Sequence, residues 1–189
     1  MKAQVVRETM LQALKLAALG LLGKALIESL RMISVTASPE RSALIFEATD
    51  GQLYAKAWCP AIVDETWKEA VDGATFISCV EKLTDERVNL TGEESKPLMI
   101  KAGKSTARLP VATSELPELM VLPEIARFEV PAELLGSMLT RLDIAIGEES
   151  GQSVLSNVQF KVFGDYIELT AAEASRSVLE RLPVPMKAE

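Results

Sequence analysis

The chain has 189 residues, 48% of them apolar and 25% charged, which excludes disorder and gives room for one large domain or up to two small ones with real cores. A net charge of −7 excludes a surface that is basic throughout, and an aromatic content of 5% argues against single-strand binding on stacking platforms. With no histidine and two cysteines, the commonest general base and metal ligand are missing, and a zinc site is excluded.

The chain opens with Ala3-Gln4-Val5-Val6-Arg7-Glu8, a short alternating strand. The stretch Thr9 to Ala25 follows with Met10, Leu11, Leu14, Ala17, Ala18, Leu21, Leu22 and Ala25 at helical spacing, while Gln12, Lys15 and Gly23 fall off that stripe. The apolar run Leu16 to Gly23 is too short for a membrane span. Flanking charges and the lack of a cleavage site argue against a signal peptide. Strands are expected over Met32 to Ala37, Ala43 to Thr49 and Leu53 to Ile62, with turns at Ser38-Pro39-Glu40-Arg41 and Asp50-Gly51. This is a βαβββ unit.

A weaker copy follows. Ala74 to Ile77 reads as a strand and Ser78 to Thr84 as a short helix; Glu86 to Thr91, Leu98 to Ala102 and Thr106 to Val111 read as strands. The Pro-, Glu- and Leu-rich stretch Thr113 to Glu124 is the best domain boundary, dividing the chain into 1–124 and 125–189. A third copy begins at Arg127 to Val130 and continues with a helix over Ala132 to Ile146, whose apolar stripe is Leu134, Leu135, Met138, Leu139 and Leu142. Strands Val154 to Val162, Tyr166 to Ala171 and Ser177 to Pro183 complete it. The expectation is an α+β fold of repeated βαβββ units, with two units in the first domain and one in the second.

Motifs for chemistry are few. Gly103-Lys104-Ser105 lacks the first glycine of a phosphate-binding loop, since position 98 is Leu98, and it lies between strands, as a hairpin turn. Glu47 and Asp50 point to opposite faces of a strand and read as solvated carboxylates, as do Glu148 and Glu149. Cys59 and Cys79 stand among apolar neighbours and read as a buried, reduced pair, which fits a reducing cytoplasm; a disulfide stays open until geometry decides it. No metal and no cofactor are expected. Arg7, Lys15, Lys24 and Arg31 gather in and just after the first helix, and Arg141 holds the matching polar face of the later helix. Equivalent helices turning a mildly basic face to a common partner is the functional reading of that pattern.

Several segments resemble, in order, the bacterial sliding clamp family, the beta subunit of DNA polymerase III. They are Met1-Lys2 with its strand and Leu-rich helix; Phe46-Glu47-Ala48-Thr49-Asp50; Lys101-Ala102-Gly103-Lys104-Ser105; Leu109 to Leu119; Phe128-Glu129-Val130-Pro131; and Val154-Leu155-Ser156-Asn157-Val158. The resemblance implies a DNA-clamp fold, with helices on the inner face and antiparallel sheets outside. It also implies a cytoplasmic processivity factor that encircles duplex DNA, assembles as a homo-oligomer, meets a DNA polymerase and a clamp loader, and catalyses nothing. By position in the family, Lys24 faces DNA after the first helix, and Gln12, Lys15, Lys104 and Arg141 are further DNA-facing candidates. Leu155, Ala172, Arg176 and Ser177 fall where the family builds part of a pocket for partner peptides. In this chain Ala171-Ala172-Glu173-Ala174-Ser175-Arg176-Ser177 replaces the family's Ala-Thr-Asp-Gly-His-Arg-Leu, which weakens that pocket. The reading is a shortened clamp, domain one complete and domain two half present. The alternatives are a truncated homologue that regulates or competes with a complete clamp, or a non-replicative binding module. An enzyme on the same scaffold is disfavoured by the missing histidine, metal set and phosphate loop.

Overall fold

Burial alternates along the strands at Lys2–Val6, Tyr54–Val63, Arg87–Thr91 and Leu98–Ala102, whereas those at Met32–Ser38 and Ala43–Thr49 are buried along most of their length. In the computed structural model, which describes residues 2–21, 27–93, 96–112, 129–147, 153–173 and 175–184, the chain forms two compact units, 1–121 and 122–189. The first unit runs β1 (Lys2–Val6), α1 (Arg7–Ala17), β2 (Met32–Ser38), β3 (Ala43–Thr49), β4 (Tyr54–Val63), β5 (Trp67–Asp72), α2 (Gly73–Glu81), β6 (Arg87–Thr91), β7 (Leu98–Ala102) and β8 (Ser105–Leu109). All eight strands join in one antiparallel sheet of order β5-β2-β3-β4-β1-β6-β7-β8.

The two βαβββ halves exchange their first strands. β1 pairs with β6 of the second half, and β5 pairs with β2 of the first. β1 also pairs with β4 of its own half. The corresponding closure of the second half is a bridge between Val71 and Val111, supported by the Ala112 amide donating to the Ala70 carbonyl at 2.7 Å. The end strand β5 and the segment after β8 therefore meet, and the sheet curls back on itself.

Register sets buried residues opposite buried residues. Ile33 stands against Val71, Val35 against Phe46, Leu44 against Cys59, Val5 against both Ala61 and Val88, Leu90 against Ile100, and Leu98 against Leu109. A slip of one residue would turn every one of these side chains outward. Helices α1 and α2 pack on each other and on this inner face. Met10, Ala13, Leu14 and Ala17 of α1 and Phe76 and Val80 of α2 are buried in the same core. Phe46 meets Phe76 edge to face at 6.2 Å, which joins the first half's sheet to the second half's helix.

The first helix is shorter than the periodicity predicts. α1 ends at Ala17 and tightens into a 3₁₀ turn over Ala18–Gly20, after which Leu21 is extended; the rest of the expected helix, 22–25, lies outside the described residues. Close approach explains the change. A Cβ on Gly20 would stand 2.5 Å from the Ala48 carbonyl oxygen, so the chain crosses β3 where only glycine fits.

The segment read as a strand from Ala74 to Ile77 is the body of α2, and the true strand is β5. The Asp72 carboxylate accepts from the Thr75 amide at 2.8 Å and from its hydroxyl at 2.5 Å, capping the helix N-terminus. Phe76, Val80 and Leu83 then follow at helical spacing into the core.

The second unit has α3 (Ala132–Leu142) and the sheet β11-β10-β9, with β9 at Gln159–Val162, β10 at Tyr166–Ala172 and β11 at Ser177–Pro183. Met138, Leu142, Ala145, Ile167, Leu169, Ala171, Leu182 and Val184 form its own small core. Leu134, read as part of the apolar stripe, is exposed. The expected strand Val154 to Val162 begins instead with a 3₁₀ turn at Ser153–Ser156, anchored where the Gly147 amide donates to the Leu155 carbonyl at 2.9 Å. Of the expected strand Arg127 to Val130, residues 127 and 128 lie outside the described set, and Glu129 and Val130 have no strand geometry.

On the outer face of β3 and β4, Glu47 accepts from the Tyr54 hydroxyl at 2.5 Å and faces the Lys56 ammonium at 2.8 Å. Burial pushes this carboxyl up, but the hydrogen bonds and the charges of Lys56 and Lys68 outweigh burial and hold it below its ordinary value. The same carboxylate raises the Tyr54 hydroxyl, in addition to the larger effect of burial.

Two outcomes are expected. Gly20→Ala, which forces the β3 backbone aside, is expected to cost roughly 1–3 kcal/mol, read as a lower urea midpoint with an unchanged slope. For Glu47 the folded-state value is depressed, so its contribution is present above the ordinary glutamate range and is lost as pH falls through the folded value. Glu47→Gln is therefore expected to flatten the fall in stability from about pH 5 to about pH 3, measured by urea melts across that range.

Candidate nucleic-acid interface

A helix packed on a sheet shows solvent only the side chains opposite its apolar stripe. On α1 that side carries Glu8, Gln12 and Lys15, at i, i+4 and i+7, all exposed. On α2 it carries Ala74, Thr75 and Glu81, followed by the capping residue Lys82. The two faces are joined where the Lys15 ammonium meets the Glu81 carboxylate at 2.8 Å, and Arg7 lies 3.7 Å from Glu8. The helix face thus presents paired charges and neutral polar groups in place of a basic stripe.

Of the other sequence-predicted DNA-facing residues, Lys24 lies outside the described residues. Lys104 is exposed in the Gly103–Lys104 turn between β7 and β8. Gly103 has a φ of +53°, and a Cβ there would overlap the Asp85 carboxylate. The turn therefore sits against the loop that follows α2. Arg141 belongs to the second unit, on the exposed side of α3. Its guanidinium grips Glu180 of β11 through Nε at 2.6 Å and Nη2 at 3.2 Å, and the Glu180 carboxyl is held below its ordinary range by that hydrogen bond. The structure brings Gln12 and Lys15 together on one helix. It gives Arg141 a carboxylate partner, as it does Lys15.

The partner-pocket residues converge around one hairpin turn of the second unit. Ala172 stands opposite Ser177 at the end of the β10–β11 ladder. The Glu173 amide donates to the Arg176 carbonyl at 2.8 Å, and the Arg176 guanidinium returns to the Glu173 carboxylate at 2.5 Å. Gly147 lies between Leu155 and Glu173. Leu155 is half-buried, while Arg176 and Ser177 are exposed, so the turn has a polar rim and little apolar floor.

No group of acidic, cysteine or histidine side chains among the described residues could hold a metal. Cys59 and Cys79 are both free thiols. Burial pushes Cys59 up to about 12 and raises Cys79 as well, which leaves neither as a ready nucleophile. No helix among the described residues is long and apolar enough to cross a membrane.

Sequence reasoning missed Glu81 and Glu180, the acidic partners of Lys15 and Arg141. Glu81 falls within the helix expected over Ser78 to Thr84, but its pairing with Lys15 depends on how α1 and α2 pack; Asp72 three residues before Thr75, with Phe76 and Val80 four apart, was the signal for the true start of that helix. Nothing local pairs Arg141 with a strand residue so distant in the chain.

This architecture of two strand-exchanging βαβββ halves with both helices on one face is that of a clamp domain. Residues 1–120 match the family described as the DNA polymerase III beta subunit, N-terminal domain, and the chain belongs to that family. The beta sliding clamp of Chlamydia pneumoniae is 26% identical over 136 residues, covering 70% of this chain and 37% of that protein. That of Halalkalibacterium halodurans is 26% identical over 110 residues, 58% of this chain and 29% of that protein.

Among solved structures, the DNA polymerase sliding clamp of Bacillus subtilis superposes with a TM-score of 0.88 at 18% identity, over 98% of this chain and 51% of that one. The DNA polymerase III subunit beta of Pseudomonas aeruginosa does so with a TM-score of 0.88 at 19% identity, over 100% and 51%. These likenesses show the α+β clamp fold. The chain spans 37% or less of the relatives' length and about half of each solved clamp. The family is one of sliding clamps and not of enzymes.

Removing the carboxylates that engage Lys15 and Arg141 tests whether these cations can reach an external polyanion. Glu81→Gln together with Glu180→Gln is expected to move elution from a heparin column to higher salt. An unchanged elution would mean that neither cation reaches the ligand.

Proposed function

We propose that the chain acts in the cytoplasm as a sliding-clamp element in DNA replication. It turns α1 and α2 of the first unit towards duplex DNA and holds a polymerase to the template by topology. The observation that carries this reading is the character of the helix face. Lys15 is engaged by Glu81, and exposed Gln12 and Thr75 are neutral. Such a surface makes few phosphate contacts, and a ring that slides needs weak, easily exchanged ones. The net charge of −7 acts in the same direction, since it opposes adhesion of the outer body to the duplex. Lys24, Lys104 and Arg141 are proposed as additional contacts.

In this reading, copies of the chain assemble as a homo-oligomer that completes the ring. A DNA polymerase and a clamp loader are the partners, and Leu155, Ala172, Arg176 and Ser177 form what the second unit offers to them. The domain division at 124/125 separates the DNA-facing pair of βαβββ units from this partner-facing unit.

The test is retention on nicked circular plasmid against the same plasmid linearised, with a bacterial clamp loader and ATP, read by gel filtration. Retention on the circle and loss from the linear form are expected. Equal retention on both overturns topological holding. Absence from both, together with binding to a complete clamp, replaces it with a role in competing with or regulating that clamp.

A further inference from the structure

The face of the first unit's sheet opposite its helices carries a feature that DNA encirclement does not use. Along β4, Tyr54, Lys56, Trp58, Pro60 and Ile62 alternate outward. The register with β3 sets Ala43 beside Pro60, Ile45 beside Trp58 and Glu47 beside Lys56. Trp58 is 67% exposed and Ile62 69% exposed, yet neighbouring Ile45 is only 8% exposed. Arg41, Ala43, Ile45, Lys56 and Trp58 enclose a cleft of about 190 Å³. This is below the roughly 300–1,000 Å³ of a small-molecule site and fits one large apolar side chain. A partly exposed tryptophan beside a buried aliphatic floor, rimmed by arginine, is the composition of an interface anchor point.

The charge on the rim is positive. Arg41 has no ion-pair partner among the described residues. Lys68 stands across β2 in the same row as Ile45, because Thr36 pairs with both. Lys56 leans on Glu47. On a chain of net charge −7, this local excess of cations around an apolar cleft selects an acidic ligand. A nucleic-acid strand fits less well, since Glu47 lies in the cationic row and one aromatic ring gives a single stacking platform where a strand needs several.

We propose that this cleft docks a partner protein through an acidic peptide segment. The segment seats one bulky apolar side chain against Ile45 and Trp58 and sets a neighbouring carboxylate on the Arg41 guanidinium. The site is independent of whether the helices meet DNA, because it lies on the opposite face of the sheet.

The test uses the full chain carrying Trp67→Phe, which leaves Trp58 as its one indole. Tryptophan emission is titrated with short synthetic peptides that hold a central Phe or Leu flanked by Asp and Glu. Matched peptides with Asn and Gln in place of the acids, and a thymidine oligonucleotide, are titrated alongside. Saturable change with the acidic peptides is expected. Separately, with a fluorescein-labelled acidic peptide read by anisotropy, Trp58→Ala and Arg41→Gln are each expected to weaken binding by about tenfold or more. Both side chains are exposed, and a native circular dichroism melt confirms that each variant folds. No saturable change with any peptide, equal binding of the neutral peptides, or binding of the oligonucleotide alone would each overturn the proposal. So would indifference to both substitutions. None of these results bears on plasmid retention.

Discussion

The exchange of first strands between the two βαβββ halves is the constraint on which the first unit depends. If β1 paired only within its own half, each half would be a small curled sheet with one helix and an open edge. Because β1 bridges β4 and β6, and β5 lies on β2, the halves merge into one eight-stranded sheet. One continuous core then holds both helices. The contact of Phe46 with Phe76 belongs to this arrangement, since it crosses from one half to the other.

That constraint also orders the surfaces. The alternation that sends Leu44, Phe46 and Ala48 inward sends Ile45 and Glu47 outward, and the same holds for Cys59 against Trp58 on β4. The helix face carries paired charges, whereas the outer face of β3 and β4 carries an exposed tryptophan, with Arg41 beside it having no ion-pair partner among the described residues. The two faces have different chemistry and are suited to different partners.

Much of the candidate site was legible before the fold was known. Gln12 and Lys15 fall off the α1 stripe, and they are exposed. Their electrostatic state was not legible, because a salt bridge between two helices depends on how those helices pack. Ala74 to Ile77 read as a strand because Ala-Thr-Phe-Ile has the bulk and branching of a strand, while the true strand, Trp67-Lys68-Glu69-Ala70-Val71-Asp72, is interrupted by charges. Leu155 was placed on a strand for the same reason. A run of Val and Leu matches both a strand and a short helical turn, and the bond from Gly147 to Leu155 decided between them.

By itself, the sequence determined the class of fold, the apolar stripe of α1 and the tight turns at Asp50-Gly51 and Gly103-Lys104. These are local matters of period and turn chemistry, which neighbouring residues settle among themselves. The tertiary structure decided which strands exchange between halves, where the turn after α1 meets Ala48, and which carboxylates engage Lys15 and Arg141. It also decided that Ile45, Trp58 and Arg41 enclose one cleft. Each of these depends on residues far apart in the chain brought together by burial, and burial is a property of the packed whole.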